Sequence, residues 1–272
     1  MTTDTADIAT RFGSGRAVQR IEDEGLLQGR GQYTDDVMPA GQLRALFVRS
    51  PYPHARIVAI DTANAASMPG VLKVVTGADL VAAGVKPIPT LPGLPDGSGV
   101  ATAPRHILAH ERVRYVGEAV ALVVAETLQQ ARDAAEAVWV EYEELPHVVG
   151  VADAVAPGAP AVFDGAQNNV AAQLRHGDAA RAEQAFGQAA HVVKLEVVNQ
   201  RVAPLSIEPR SVLAWTAEDG RLTLRMSSQM PSGVRNSLAN DILGLPREQV
   251  RVTVGDVGGG FGMKTGIYPE DA

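Results

Sequence analysis

Residues 250–266 read VRVTVGDVGGGFGMKTG and form the most distinctive stretch of the chain. Apolar and polar residues alternate from Val250 to Val254, which predicts a half-buried β-strand. Three consecutive glycines, at 258–260, follow shortly after, and a further glycine stands just beyond Phe261. Backbone N–H groups without covering side chains can approach a bulky anionic ligand, while the aromatic ring supplies a flat apolar wall. The stretch therefore predicts a strand that ends either in a ligand-binding loop or in a simple tight turn.

Two familiar glycine-rich nucleotide loops do not fit this stretch. A Walker loop needs lysine directly after glycine, but Met263 separates Gly262 from Lys264. The dinucleotide fingerprint fails as well, because Met263 stands where its third glycine would fall. The loop therefore predicts neither an ATPase nor a Rossmann-type site.

The composition is that of a protein with enough apolar residues for two domains. The chain has 272 residues, 46% of them hydrophobic, and a formal net charge of −7. An acidic chain without a cluster of Lys and Arg repels phosphate backbones, so nucleic acid is not expected as a partner. No window approaches the roughly 18 uncharged apolar residues of a membrane span, and the N-terminus has no signal-peptide pattern. A cytoplasmic location is expected.

Metal-ligating residues are scarce. The chain has no cysteine, which excludes disulfides, iron–sulfur ligation and thiolate zinc sites within it. Only His106 and His110 have a spacing of four, and no Glu lies between them as a His-Glu-x-x-His zinc site requires. They are interpreted as solvated loop histidines.

Periodicity and capping signals predict a mixed α/β chain. Residues up to about Thr10 and the proline-rich stretch 84–104 are predicted irregular, and Ala, Gly and Pro between Pro146 and Asn169 predict a linker. Strands are predicted at 42–50, 55–60, 71–76, 118–125, 139–143, 191–200, 211–216, 221–227 and 250–254. Helices are predicted at 62–66, 127–137, 178–185 and 231–243.

Seven short segments, in their order and spacing, together resemble one family. They are GQYTDD (31–36), RSPYPHAR (49–56), PGV (69–71), RYVGE (114–118), IEPR (207–210), SSQ (227–229) and DVGGGFGMK (256–264). On these motifs the chain resembles the molybdenum-cofactor-binding large subunits of the xanthine dehydrogenase, aldehyde oxidase and aerobic carbon monoxide dehydrogenase superfamily. The resemblance covers residues 16–272.

The resemblance implies an α/β (α+β) fold of two parts. After a disordered N-terminus at 1–19, a hammerhead-type α/β domain is expected at 20–147. A linker at 148–168 then leads to the first part of the molybdopterin-binding α/β region at 169–272, which is expected to be incomplete.

The resemblance also implies a molybdenum hydroxylase. Such an oxidoreductase hydroxylates an aldehyde or N-heterocycle, or oxidises CO, with water as the oxygen source. Molybdenum is held by the dithiolene of a pterin, expected in its cytosine dinucleotide form, so no residue is expected to ligate the metal. Gln229 matches the glutamine whose amide approaches the apical oxo ligand and is the expected catalytic residue. Gly259, Gly260, Phe261 and Gly262 match the cofactor-binding loop.

Several partners follow from the same resemblance. FAD and iron–sulfur clusters are expected on partner subunits, and a complementary C-terminal region is expected to carry the rest of the cofactor site and the base glutamate. Glu270 and Asp271 match no part of that distant motif, so they are not expected to act as the base. The chain is expected to be a fragment or a split half, inactive alone.

Each site assignment has a plainer alternative. Gln229 could simply satisfy backbone groups at a strand end. Residues 208–210 are interpreted as architectural, with Arg210 pairing with an acid. Lys264 is interpreted as a solvated charge. Thr265 stands where purine-oxidising relatives carry a substrate-binding glutamate, which disfavours xanthine.

Two other functions also remain open. One is a non-catalytic scaffold that docks redox subunits, and the other is a phosphate-ligand binding module that uses the glycine loop.

Overall fold

The computed structural model describes residues 20–89, 104–164, 166–171, 176–200 and 202–272. The predictions for residues 1–19 and for most of the stretch 84–104 lie outside these ranges. Within them the strands are β1 (Arg44–Arg49), β2 (Ala55–Asp61), β3 (Val71–Thr76), β4 (Arg112–Val113), β5 (Ala119–Ala125), β6 (Trp139–Glu144), β7 (Val212–Thr216), β8 (Leu222–Met226) and β9 (Val250–Thr253). The helices are α1 (Asp23–Leu27), α2 (Ala63–Ala66), α3 (Gly77–Ala82), α4 (Leu128–Ala137), α5 (Val151–Ala154), α6 (Ala179–Gln188) and α7 (Pro231–Asn236).

The first sheet is antiparallel, in the order β1-β5-β3. Its central strand has the nearly uninterrupted apolar sequence AVALVVA, and α4 packs against β1 and β5. Helix α4 begins with the predicted capping box, since the Thr127 side chain accepts from the Gln130 N–H and the Gln130 side chain accepts from the Thr127 N–H. A second antiparallel sheet has the order β4-β2-β6.

The third sheet carries the predicted hairpin and the strand before the glycine loop. Strands β7 and β8 are antiparallel, and β9 lies parallel to β8 after a helical crossover. That crossover is α7 continued by a π-helical segment, Ser237–Leu243, and it ends at Gly244 in the left-handed conformation, with φ 65°. The predicted helix at 231–243 is therefore present, with its second half wound more loosely than an α-helix.

The remaining helices are short. Helix α6 is capped by Asp178, whose side chain accepts a hydrogen bond from the Arg181 N–H, and it continues three residues past the predicted end. The predicted linker contains α5. None of the helices within the described ranges is long and apolar enough to cross a membrane.

The predicted strand at 191–200 is wrong: these residues form no strand. Their apolar side chains face solvent, as the exposed fractions of Val193 (90%) and Leu195 (83%) show. Alternation marks the face that a strand would bury, but a strand also needs a hydrogen-bonded neighbour. Among the described residues no strand pairs with this segment.

One apolar cluster joins the two halves of the described chain. It combines Leu108 and Ala119 from the first half with Leu224, Leu238 and Ile242 from the second. A main-chain hydrogen bond of 3.0 Å from the Lys86 N–H to the Ile242 carbonyl adds to this contact. Burial of the crossover helix in a shared core holds the third sheet, and hence the glycine loop, against the first half.

Candidate functional site

The glycine loop, residues 257–266, contains a tight turn with an aromatic ring at its tip. The Met263 N–H donates to the Gly260 carbonyl over 2.8 Å, and Phe261 and Gly262 between them have φ of 51° and 84°. Two successive positive φ values define a type I′ turn, and a non-glycine residue adopts this conformation only at a cost. The Phe261 side chain is 74% exposed, so the loop presents its ring to the surroundings.

Two of the three consecutive glycines are required by side chains that press against the loop. A Cβ on Gly258 would lie 2.5 Å from the Glu208 Cβ, and a Cβ on Gly260 would lie 2.4 Å from the Gln229 Cδ. A larger residue at either position would displace the neighbouring side chain. The glycines therefore bring the loop backbone into contact with Glu208 and Gln229.

Gln229 is oriented by the loop that it touches. Its Oε1 accepts hydrogen bonds from the N–H groups of Gly262, at 3.0 Å, and Lys264, at 3.3 Å. Its own N–H donates to the Lys264 carbonyl over 2.8 Å. Because the amide oxygen is engaged in this way, the NH₂ end of the side chain is left as a pure donor. Satisfying backbone groups and presenting an amide donor are thus two roles of one side chain.

Three further N–H groups belong to the same loop as this amide contact. The N–H groups of Gly259, Gly260 and Phe261 donate to no acceptor in the part of the chain that the structure describes. Together with the Gln229 amide they form a set of uncharged donors next to an exposed aromatic ring. Such a set suits the oxo, phosphate and heterocyclic acceptor atoms of a pterin cofactor.

Lys264 is not the solvated charge that was expected from the sequence. Its side chain is fully buried, and its ammonium donates to the Ser227 Oγ at 2.7 Å, the Glu208 carbonyl at 2.8 Å and the Glu208 Oε2 at 3.1 Å. An ammonium has three N–H donors, so all of them are used. A charge buried in this way is stable only because it is paired and hydrogen-bonded.

Glu208 is the second member of this buried group. Its Oε2 accepts from the Ser227 hydroxyl at 2.5 Å and from the Gly258 N–H at 2.8 Å, besides Lys264. Burial raises the pKa of this carboxyl, but the hydrogen bonds from Ser227, Gly258 and Lys264 outweigh burial and place the pKa below its ordinary value. Glu208 is therefore ionised at neutral pH.

The terminal turn, residues 268–272, is held by arginines. The Arg49 Nη2 lies 2.7 Å from the Glu270 Oε1, and Arg210 approaches Glu270 at 3.5 Å and Asp271 at 3.7 Å. The Arg210 guanidinium also stacks on the Tyr268 ring at 3.8 Å. The prediction that Arg210 pairs an acid is confirmed. These contacts engage both acids in structural pairs.

Of the other polar residues singled out in the sequence, two histidines pack against each other and Thr265 bonds within the glycine loop. His106 and His110 stack edge to face, 4.6 Å apart and partly buried, instead of pointing into solvent. Burial and the neighbouring His110 lower the pKa of His106. No group of three or more His, Asp or Glu within the described ranges could hold a metal ion. The Thr265 hydroxyl donates to the Gly262 carbonyl over 2.8 Å.

Sequence reasoning missed the contacts that fix the glycine loop. The buried ion pair joins residues 56 positions apart, and a second link joins Gln32 to Asp256 across 224 positions. In that link the Gln32 N–H donates to the Asp256 carboxylate at 2.7 Å, and Arg225 donates to the Gln32 carbonyl at 2.7 Å. The one signal in the sequence was that residues 31–36, 208 and 256–264 all lie within segments of the family resemblance.

Comparisons with known proteins identify two family domains in the chain. Residues 28–146 match the aldehyde oxidase and xanthine dehydrogenase a/b hammerhead domain, and residues 162–272 match the molybdopterin cofactor-binding domain. The nicotine 6-hydroxylase large subunit of Paenarthrobacter nicotinovorans is 40% identical over 269 residues, which are 96% of this chain and 31% of that protein. The carbon monoxide dehydrogenase large chain of Hydrogenophaga pseudoflava is 36% identical, over 91% of this chain and 31% of that protein.

A solved structure shows the same fold. Quinoline 2-oxidoreductase from Pseudomonas putida 86 matches with a TM-score of 0.84 and 38% identity, over 94% of this chain and 32% of that one. The chain thus spans about a third of the length of these relatives. On the two domain matches and these relatives, the chain belongs to the xanthine dehydrogenase, aldehyde oxidase and carbon monoxide dehydrogenase family of molybdenum-cofactor-binding large subunits.

Proposed function

We propose that this chain supplies part of the cofactor site of a molybdenum hydroxylase, an oxidoreductase that hydroxylates an aldehyde or N-heterocycle, or oxidises CO, with water as the oxygen source. The observation that carries the proposal is the orientation of Gln229, whose amide oxygen is engaged by the Gly262 and Lys264 N–H groups. The NH₂ group is left to donate to an acceptor on the cofactor. When bound, the molybdenum pterin supplies the two-electron redox chemistry.

In this scheme the residues of this chain bind the cofactor and orient it. The Gln229 amide donates a hydrogen bond to an oxo-type acceptor and adds no titrating charge to the site. The N–H groups of Gly259, Gly260 and Phe261 hold polar atoms of the cofactor, while Gly262 shapes the turn that exposes them. The Phe261 ring, exposed at the loop tip, covers the bound group and excludes water from it.

Further parts of the scheme are proposals that rest on the family. The hammerhead domain spans residues 20–147 and the first molybdopterin-binding part spans 169–272, with 148–168 between them. The cofactor is the cytosine dinucleotide form, FAD and iron–sulfur clusters lie on partner subunits, and a complementary molybdopterin-binding region completes the site. The assembly is cytoplasmic. Thr265 carries no charge and its hydroxyl is engaged by the loop, which disfavours xanthine as the substrate.

The test is to isolate the protein from its host, with every polypeptide joined to or assembled with it, and to measure bound molybdenum and the cytidine monophosphate released by acid. Dye-linked turnover is then measured with an aldehyde, an N-heterocycle and CO. Gln229→Leu is expected to lower kcat about 10²- to 10³-fold, as loss of one preorganised donor does, with molybdenum content retained. Gln129→Leu, on the exposed side of α4, is the matched control and is expected to leave kcat unchanged.

Other outcomes would favour the competing functions. A protein that binds redox subunits but contains neither molybdenum nor pterin would be a scaffold. A protein that binds nucleotides at the glycine loop, without molybdenum, would be a phosphate-ligand module. A Gln229→Leu variant with the kcat of the unmodified protein would remove Gln229 from the mechanism.

A further inference from the structure

We propose that the buried pair of Glu208 and Lys264 is the positioning device of the site, because it holds the glycine loop and the Gln229 amide in one fixed arrangement. This inference rests on the proposed function for its catalytic meaning. The arrangement itself can be tested without the cofactor. Glu208 and Lys264 are positioning residues, because their side chains bond each other, Ser227 and the Gly258 N–H and act on the site through the loop.

Lys264 binds Gln229 through its main chain at two points. Its N–H donates to the Gln229 Oε1 at 3.3 Å, and its carbonyl accepts from the Gln229 N–H at 2.8 Å and from the Ser228 hydroxyl at 3.4 Å. Any movement of Lys264 along the loop therefore moves the Gln229 amide with it.

The Lys264 side chain, in turn, cannot move independently of Glu208. All three ammonium donors end on Glu208 and Ser227, and the side chain has no exposed surface. Leaving this pocket would place the charge among apolar atoms or require the loop to open to water. Glu208 thus fixes the position of Lys264 along the loop.

Glu208 also fixes the start of the loop. Its Oε2 accepts from the Gly258 N–H at 2.8 Å, and its own N–H donates to the Gly258 carbonyl at 3.2 Å. Glu208 therefore binds the loop at Gly258 through main chain and side chain, and at Lys264 through an ion pair. The donors at Gly259, Gly260 and Phe261 lie between these two anchors.

One carboxylate oxygen of Glu208 takes no part in this hydrogen-bond network. The Oε1 is buried and has no hydrogen-bond partner in the described part of the chain. A buried carboxylate oxygen without a donor costs stability, and Oε2 takes every donor on its own. The group is therefore arranged for the position of Oε2 between Gly258 and Lys264.

The test compares Glu208→Gln with Arg210→Gln in the whole protein as isolated. Arg210 lies two residues away, and its hydrogen bond, ion pairs and stacking contact among the described residues go to Glu270, Asp271 and Tyr268 in the terminal turn. Amide hydrogen exchange is measured on peptides covering 257–266, with kcat and KM expressed per bound molybdenum. Glu208→Gln is expected to speed exchange in this loop about tenfold, because a charge-assisted bond is lost, and to lower kcat with little change in KM. Arg210→Gln is expected to leave both unchanged.

A double variant covers the case in which Glu208→Gln does not fold. Glu208→Leu with Lys264→Met removes both charges, so no unpaired charge stays buried and the fold is retained. The loop loses both anchors, so its exchange rises. Loop exchange equal to that of the unmodified protein in either variant, or raised equally by Arg210→Gln, would overturn the proposal. Absence of molybdenum from the unmodified protein would instead refute the proposed function and leave the exchange result standing.

Discussion

Two groups of charged residues hold the second half of the chain in place, and they differ in burial. In the group around the glycine loop, Lys264 has no exposed side-chain surface and Glu208 only 13%. In the terminal turn Asp271 is buried too, with 5% of its side chain exposed, but Glu270 is 21% exposed and is shared by Arg49 and Arg210, whose side chains are 44% and 27% exposed. Water and a second cation can replace a lost contact in the terminal turn. In the loop group each buried charge has the other as its counter-ion, so removing one partner costs more stability there than in the terminal turn.

The largest expected effect comes from Lys264→Met. Methionine fills a similar space, but Glu208 is left as a buried carboxylate without its cation. Breaking a buried pair from one side costs about 3–5 kcal/mol of the free energy of unfolding. Glu270→Gln is the comparison in the terminal turn, where about 1 kcal/mol or less is expected because the pair is partly solvated. Urea unfolding of the two variants measures both values.

Equal destabilisation by Lys264→Met and Glu270→Gln would contradict this comparison. It would mean that water reaches the loop group as freely as it reaches the terminal turn. A loss below about 1 kcal/mol for Lys264→Met alone would have the same meaning, since exposed pairs contribute that little.

The second prediction concerns the glycine that touches Glu208. Gly258→Ala places a Cβ 2.5 Å from the Glu208 Cβ, and backbone must shift to relieve the clash. Overpacking of this kind costs about 1–3 kcal/mol. Gly266→Ala is the matched control from the same loop, since a Cβ there meets no described atom within 4 Å and φ is not in the left-handed region. It is expected to leave the unfolding midpoint unchanged or slightly raised.

Crystal structures or amide exchange of Gly258→Ala would show where the strain goes. We expect displacement of Glu208 and faster exchange at 257–266, because the N–H of residue 258 loses its acceptor. An unfolding midpoint equal to that of Gly266→Ala would mean that the loop adjusts freely and that Glu208 does not anchor it.

Much of the fold followed from local sequence signals. The apolar run of β5, the capping box of α4 and the hairpin of β7 and β8 each depend on residues close together in the chain. Such signals predict an element whenever its neighbours are also present. The segment 191–200 shows the limit, since its alternation was correct for a strand but no described strand pairs with it.

The site was predicted only in part, for the same reason. The loop and Gln229 are motif residues, and the structure brings them together, although their roles toward a cofactor remain predictions. Lys264 was misjudged because a charge beside a glycine loop is usually solvated, and its partner lies 56 positions away. No periodicity or spacing links such distant charges. Burial, which decides whether a charge must be paired, appears only in three dimensions.

The smallest expected effect is a difference in how the stability contributed by the two groups depends on pH. The lowered pKa of Glu208 means that its contribution to stability is complete above the ordinary carboxyl pKa and is lost as pH falls through the lowered value. In the terminal turn burial is the largest influence on Asp271, opposed by the Tyr268 N–H and Arg210, and it raises the pKa. Stability linked to Asp271 therefore falls as pH rises from the ordinary carboxyl pKa through that raised value.

Asp271→Asn tests this opposite sign. The amide oxygen keeps an acceptor for the Tyr268 N–H, while the buried charge is removed. We expect a gain of less than about 1 kcal/mol in the free energy of unfolding at neutral pH, and no gain at a pH below the ordinary carboxyl pKa. Glu208→Gln, by contrast, is expected to lose stability at neutral pH and to lose progressively less in acid. Urea unfolding between neutral and acid pH measures both curves, and a neutral-pH loss for Asp271→Asn would show that its long contact with Arg210 outweighs burial.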